Sequence, residues 1–242
     1  MTCYIFDVDG TLTPSRDEIN KDFLKWFLEF VKWHPVYLVT GSNREKTEEQ
    51  IGAELFEKVN CVYNCSGNTK YKKGVCVYNV RDFQLDDKPQ KFLERKLRNS
   101  DFDIKTGLHF ESRPGLLNFS IVGRNATKTE RKKYVKYDTT TNERQLISNE
   151  FNKKFSKKFD IVSQVAGETG LDIIKIGTDK AQILKDFTFQ DELIFFGDNI
   201  QPGGNDYGIA QVIEYGPYDR TEVHYVKNWK ETWKILKKYD IH

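Results

Sequence analysis

Cys3-Tyr4-Ile5-Phe6-Asp7-Val8-Asp9-Gly10-Thr11-Leu12-Thr13-Pro14-Ser15-Arg16 is an apolar run that meets two aspartates two residues apart and then a Gly-Thr turn. A short apolar run closed by turn residues predicts a strand buried on both faces. Outward from it, residues 20–33 predict a helix, with Phe23, Trp26, Phe27, Phe30 and Val31 at helical spacing. Pro35 ends that helix, residues 36–39 predict a second strand, and Thr40-Gly41-Ser42-Asn43 predicts a polar turn. A second helix over 44–55 and a third strand over 61–63 complete a strand-helix order that implies a parallel sheet with right-handed crossovers.

The pattern changes in the middle of the chain. Residues 89–98 and 145–159 predict helices. Residues 109–112 with 116–122, joined by Pro114-Gly115, and 161–165 with 171–176 predict antiparallel pairs. Alternation resumes with a helix over 180–187, strands over 193–196 and 212–215, and a helix over 229–239. The expected fold class is therefore α/β, a Rossmann-like core with a parallel sheet (residues 1–80 and 178–242) interrupted by an α+β cap with an antiparallel sheet (residues 81–177).

The 242 residues can hold such a core and a smaller insertion. With 38 Lys and Arg against 36 Asp and Glu, the formal net charge of +2 gives no overall field to draw in nucleic acid or an anionic membrane. No apolar run approaches the roughly 18 residues of a membrane span, so a cytoplasmic protein with no membrane or nucleic-acid partner is expected. Cys3, Cys61, Cys65 and Cys76 include no CxxC pair, and the expected state is reduced and mostly buried. The basic stretches over 128–136 and 153–158 read as solvated helix faces, His109 as a strand residue, and the aromatic stripe at Phe23 to Phe30 as core.

Ligands of open parallel sheets bind beyond the carboxyl ends of the strands. Those ends carry Asp7 and Asp9, Thr40 and Ser42, and Asp198 with Asn205 and Asp206, while Lys180 stands at a helix start. A few hard carboxylate oxygens suit Mg²⁺, which keeps waters and phosphate oxygens in its remaining positions. A bare Asp-x-Asp belongs most often to a capped turn, but three longer strings are more specific: Phe6 to Arg16 (FDVDGTLTPSR), Phe195 to Asp206 (FFGDNIQPGGND), and Arg113 to Arg124 (RPGLLNFSIVGR).

In that order the three strings resemble eukaryotic-type phosphomannomutases of the haloacid dehalogenase superfamily, whose signature is DxDGT, and the likeness spans nearly the whole chain. The resemblance implies a cap inserted after the third strand, Asp7 as a nucleophile that becomes an aspartyl phosphate, and Asp9 as general acid and base. It implies Mg²⁺ held by Asp7, the Asp9 carbonyl and Asp198, with Asn205 and Asp206 also among the metal-site residues, and Lys180 as a fixed positive charge. For the hydroxyl donor it points to Ser42 in a Gly-Gly-Ser turn. This chain instead has Thr40-Gly41-Ser42, and Thr is what many phosphatases of the superfamily use at the first position, so both hydroxyls stay candidates.

A mutase also needs a second anion site, and guanidinium forks match phosphate oxygens. By resemblance Arg124 and Arg131 hold the distal phosphate, Arg113 contacts or supports it, Arg16 reaches in from the core, and Asp172 accepts from sugar hydroxyls. Where the family usually has a serine on the distal phosphate, this chain has Gly170 beside Thr169. Either Thr169 substitutes or that contact is lost.

The function expected is interconversion of mannose 6-phosphate and mannose 1-phosphate, feeding GDP-mannose biosynthesis. A hexose 1,6-bisphosphate would be intermediate and activator, and a homodimer would form through the cap. The competing readings are a Mg²⁺-dependent sugar-phosphate phosphatase on the same scaffold, favoured by Thr40 and Gly170, and a catalytically dead binding module. The latter is opposed by the presence of Asp7, Asp9, Lys180 and Asp198 together.

Overall fold

Successive side chains of β1 (Thr2–Phe6) enter two different cores, because a strand presents alternate residues to opposite faces. Tyr4 and Phe6 join a cluster with Phe27, Phe30, Leu38, Leu55 and Phe196, whereas Cys3 and Ile5 join Val39, Tyr63, Leu193, Phe195 and Ile213. Helical layers therefore cover both faces of this strand, which is why it reads as an unbroken apolar run.

The computed structural model describes residues 1–218 and 220–239, which divide into two compact units. The first comprises Met1–Val80, Asp179–Pro202 and Asp206–His242, the second Arg81–Thr178 and Gly203–Asn205. In the first, β2 (Val36–Val39) and β3 (Cys61–Asn64) lie to one side of β1, and β10 (Glu192–Gly197) and β11 (Arg220–Tyr225) to the other, all parallel. The chain thus leaves the sheet centre in both directions, and the carboxyl ends of β1 and β10 flank the reversal, where a ligand crevice opens in such sheets. α1 (Lys21–Trp33) is capped by the Asn20 side chain, which accepts from the backbone N–H groups of Asp22 and Phe23, and it buries Phe23, Phe27 and Phe30.

Four local readings change. The helix expected over 44–55 is two, α2 (Arg44–Ile51) and α3 (Ala53–Lys58), broken at Gly52, whose φ of 80° leaves the helical region. The chain over 180–187 is a 3₁₀ helix, Lys180–Asp186. An antiparallel extension, β4 (Thr69–Lys72) and β5 (Val75–Asn79), was not foreseen. The strand expected over 212–215 is the end of a helix, α7 (Tyr207–Tyr215), which buries Ile209, Ala210 and Ile213 on one helical face. The β-branched Val212-Ile213 pair has strand propensity, but helical packing against the sheet overrides it. The edge strand is β11. α8 (Trp229–Leu236) follows, Trp233 stacking on Phe23.

In the second unit, β6 (Phe110–Arg113), β7 (Leu116–Phe119), β9 (Gly170–Lys175) and β8 (Ile161–Ala166) form an antiparallel sheet in that order. Leu117, Phe119, Leu171 and Ile173 pack with Phe92 and Leu93 of α4 (Asp87–Asn99), Tyr134 of α5 (Lys128–Thr141) and Phe151 of α6 (Glu143–Phe159). A capping box starts α5: the Thr127 hydroxyl accepts from the Glu130 N–H while Glu130 accepts from the Thr127 N–H. Cys3, Cys61 and Cys65 are buried, but Cys76 on β5 is exposed. Among the described residues, no helix is long and apolar enough to cross a membrane.

A Cβ at position 52 meets no atom within 4 Å, so Gly52→Ala tests backbone conformation alone. Forcing alanine to positive φ should cost roughly 1–2 kcal/mol in urea-induced unfolding. No loss would mean that the helix is continuous.

Candidate active site

Where β1 and β10 end, their backbones stop pairing and their next side chains become available to a ligand. Asp7 follows β1, Asp198 follows β10, and Asp206 precedes the first turn of α7. One carboxylate oxygen from each lies within 4.8 Å of the other two. Lys180, the first residue of the 3₁₀ helix, donates from Nζ to Asp7 Oδ1 at 2.5 Å and to Asp206 Oδ1 at 2.6 Å. Lys180 and Asp206 are wholly buried and Asp7 nearly so. Two glycines make room for this convergence. A Cβ at Gly10 (φ 85°) would sit 2.2 Å from Asp198 Oδ2, and one at Gly197 would sit 2.8 Å from Asp206 Oδ2.

The electrostatics follow from burial. Desolvation, with the Asp206 charge adding to it, pushes the Asp7 carboxyl up to about 7 against the pull of Lys180. Burial, then the charges of Asp7 and Asp206, raise Asp198 well above the usual carboxylate range. Burial opposes the charge on Lys180, but Asp206 and Asp7 outweigh it and hold its pKa above the ordinary lysine value. Three carboxylates, Asp7 and Asp206 buried and Asp198 half-buried, face one ammonium, a surplus of negative charge that a divalent cation would neutralise. Hard oxygen donors gathered this closely fit Mg²⁺.

Asp9 is not part of that carboxylate group. Its Oδ1 accepts from the Arg16 N–H at 2.7 Å and from Gln50 Nε2 at 3.0 Å, and its Oδ2 accepts from the Ser42 hydroxyl at 3.3 Å. Thr40 is buried, its Oγ1 accepting from the Ser42 N–H at 3.1 Å. The turn after β2 thus brings both candidate hydroxyls together, with Ser42 turned to Asp9. Asn205 belongs to the second unit with Gly203 and Gly204.

In the second unit, the sheet face away from the helices carries a polar row. Glu111 pairs in register with Asn118, Asn118 with Asp172, and Asp172 with Gln164, across β6, β7, β9 and β8. Arg113, two residues from Glu111 and so on the same face, donates to its carboxylate from Nε at 3.0 Å and from an η nitrogen at 2.9 Å. Arg124 also pairs with Glu111 and donates to Asn118 Oδ1 at 3.2 Å, while Asn118 Nδ2 donates to Asp172 at 2.6 Å. Arg131 on α5 is buried and lies 3.6 Å from Glu168. Arg113, Arg124 and Asp172 therefore share one network. Thr169 is buried, its carbonyl accepting from the Ser120 hydroxyl at 3.0 Å. The place of a side chain at Gly170 is taken by Asn118 Nδ2, 2.7 Å from where a Cβ would stand. Gln50, Glu111 and Asn118 escaped the sequence reading, because a polar residue in a helix or strand is by default solvated.

The chain matches the family model "Eukaryotic phosphomannomutase" over residues 22–240. It is 32% identical to the phosphomannomutase of Spinacia oleracea over 235 residues, covering 95% of this chain and 92% of that one. With the phosphomannomutase of Dendrobium officinale it shares 33% identity over 212 residues, 86% of this chain and 84% of the relative. Among solved structures, the C-terminal domain of trehalose-6-phosphate phosphatase from C. albicans superposes with a TM-score of 0.65 at 14% identity, covering 98% of this chain and 91% of that one. N-terminally truncated IMP-nucleotidase of Plasmodium falciparum gives 0.63 at 17% identity, covering 99% and 70%. These two likenesses bear on the fold, which is of the haloacid dehalogenase type.

A cation must displace the Asp7 proton to bind its carboxylate, so affinity rises with pH until the group is ionised. With that carboxyl near 7, titration calorimetry should find Mg²⁺ or Mn²⁺ binding about tenfold weaker at pH 6 than at pH 8. Equal affinity at both would remove Asp7 from the ligand set.

Proposed function

Because the chain belongs to the eukaryotic phosphomannomutase family, and is thus an enzyme of the isomerase class, we propose that it interconverts mannose 6-phosphate and mannose 1-phosphate through an aspartyl-phosphate enzyme. The observation that carries this reading is the buried Lys180 bridging Asp7 and Asp206, with Asp198 beside them. Such a group can bring a nucleophilic carboxylate and an anionic phosphoryl group together.

In the first half-reaction an Asp7 carboxylate oxygen attacks the phosphorus of a hexose bisphosphate and the bond from phosphorus to the sugar oxygen breaks. Asp9 gives that leaving oxygen its proton. In the second half, Asp9 takes the proton from the sugar hydroxyl that attacks the acyl phosphate, and the bond from phosphorus to Asp7 breaks. Lys180 faces the charge that develops on the transferred group, with a hydroxyl of Thr40 or Ser42 as donor. Mg²⁺, held by Asp7, Asp198 and Asp206, would supply Lewis-acid charge neutralisation at the phosphoryl oxygens.

Arg113, Arg124 and Arg131, with Arg16, would grip the phosphate that is not being exchanged, and Asp172 would accept from sugar hydroxyls. A phosphatase needs no such second grip, and the arginine network favours the mutase. The serine contact used elsewhere in the family has no counterpart at Gly170, whose side-chain space Asn118 fills, so the arginines carry the distal phosphate. A hexose 1,6-bisphosphate would prime Asp7, and a homodimer and a cytoplasmic setting complete the proposal.

The test is isomerisation of mannose 1-phosphate with and without glucose 1,6-bisphosphate, followed by phosphorus NMR. Turnover should require the bisphosphate; release of inorganic phosphate with no isomer formed would make the enzyme a phosphatase. Asp7→Asn should abolish phosphoenzyme detected by intact mass while leaving the thermal transition in place, and retained turnover would refute the nucleophile. Arg131→Ala should raise KM for the sugar phosphate by roughly tenfold or more, the loss of a charged hydrogen bond. An unchanged KM would misplace the distal site.

A further inference from the structure

Gln50 is buried to 1% exposure near the end of α2, in a stretch, Glu48-Glu49-Gln50-Ile51-Gly52, with no sequence signal of chemistry. Its amide nitrogen has two hydrogens, and both are committed. One goes to Asp9 Oδ1 at 3.0 Å, the other to Thr13 Oγ1 at 3.2 Å. The Thr13 hydroxyl spends its own hydrogen on the Val8 carbonyl at 3.3 Å, so its oxygen can only accept from Gln50. This fixes which way the amide faces: nitrogen toward Asp9. The amide oxygen, Oε1, is buried without a hydrogen-bond partner among the described residues. A buried acceptor left unmade is a standing cost, and it falls here on the residue that touches Asp9.

The backbone is pinned as well. The Ile19 N–H donates to the Gln50 carbonyl at 2.8 Å, tying the segment after the DxD turn to α2. Asp9 is thereby held through Oδ1 by two donors, the Arg16 N–H and the Gln50 amide, whereas among the described residues Oδ2 takes the longer contact with Ser42. Fixing one oxygen orients the other.

We infer that Gln50 is a positioning residue for the reaction, holding Asp9 by Oδ1 so that Oδ2 is presented to the sugar oxygen whose proton it moves. This rests on the reading of Asp9 as acid and base. Gln50 touches neither nucleophile nor phosphoryl group, so its effect should follow the need for a proton and nothing else. Phosphoryl donors differ in that need. A sugar alkoxide must be protonated as it leaves, whereas acetate leaves acetyl phosphate as a stable anion.

The experiment measures phosphorylation of Asp7 in a single turnover, by intact mass after rapid quench, with glucose 1,6-bisphosphate and with acetyl phosphate as donors. Gln50→Met keeps the volume and removes the donors; Gln50→Asn keeps the amide but shortens its reach, and serves if the first variant unfolds. A misplaced catalytic group costs up to about a hundredfold. The loss with the bisphosphate should therefore be at least about tenfold larger than that with acetyl phosphate, with KM for the sugar phosphate within about threefold of wild type. Equal losses with the two donors would make Gln50 structural, and no loss with either would make it irrelevant; both overturn the inference. Asp9→Ala separates the two readings. If it shows the donor dependence and the Gln50 variants do not, only the inference falls; if it shows none, the acid–base reading fails and the inference with it.

Discussion

The ammonium of Lys180, out of water between Asp7 and Asp206, is the interaction on which the first unit depends. A lone charge in that position would be driven to neutralise, and a pair survives only where geometry and hydrogen bonds repay desolvation. Here the repayment is incomplete by design of composition: with Asp198, three carboxylates face one ammonium. Burial, with the surplus adding to it, raises Asp7 and Asp198 above their ordinary range. The same feature that makes this centre costly in the protein alone would, in the function proposed, make it receptive to a dication and then to a phosphoryl group. The fold supplies what this requires: two neighbouring parallel strands ending together, a 3₁₀ turn that begins on Lys180, and glycines at 10 and 197 where a Cβ would collide with a carboxylate.

The second unit solves a different problem with the period-two rule of strands. Every residue of β7 is buried, yet Leu117 and Phe119 face the helices while Asn118 faces away beside Asp172 and Arg124. Glu111 holds two guanidinium groups on that same face. Charged groups are fixed against one another on the sheet, so an anion bound there, as proposed, would cost little further side-chain entropy.

The parts of this arrangement legible in the sequence share one property, placement at the end of an apolar run. Asp7, Thr40 and Asp198 each stand directly after a buried strand, where the apolar pattern itself announces the chain's emergence. Asp206, Arg16, Arg113 and Arg124 lie within the three strings that carry the resemblance, whereas Lys180 stands at a predicted helix start and Arg131 comes from the resemblance alone. Gln50 and Glu111 carried no such mark: each lies inside a regular element, and only tertiary packing turns it toward a partner. The fold errors have the same origin. Val212-Ile213 is β-branched but helical, with Ile213 on the buried face and Val212 exposed, and β5 exposes Val75 and Val77, so it lacks the buried face that would have marked it. The break at Gly52 depends on a single positive φ within an otherwise helical pattern.

What distinguishes a mutase from a phosphatase built on such a carboxylate centre is the destination of the phosphoryl group once it is on Asp7. The most direct measurement loads the enzyme with labelled phosphate from hexose bisphosphate, isolates it, and follows the label on adding mannose 1-phosphate. The account predicts that the label passes to sugar, appearing as bisphosphate faster than it is lost to water. Label released as inorganic phosphate at the same rate with and without the sugar would contradict it.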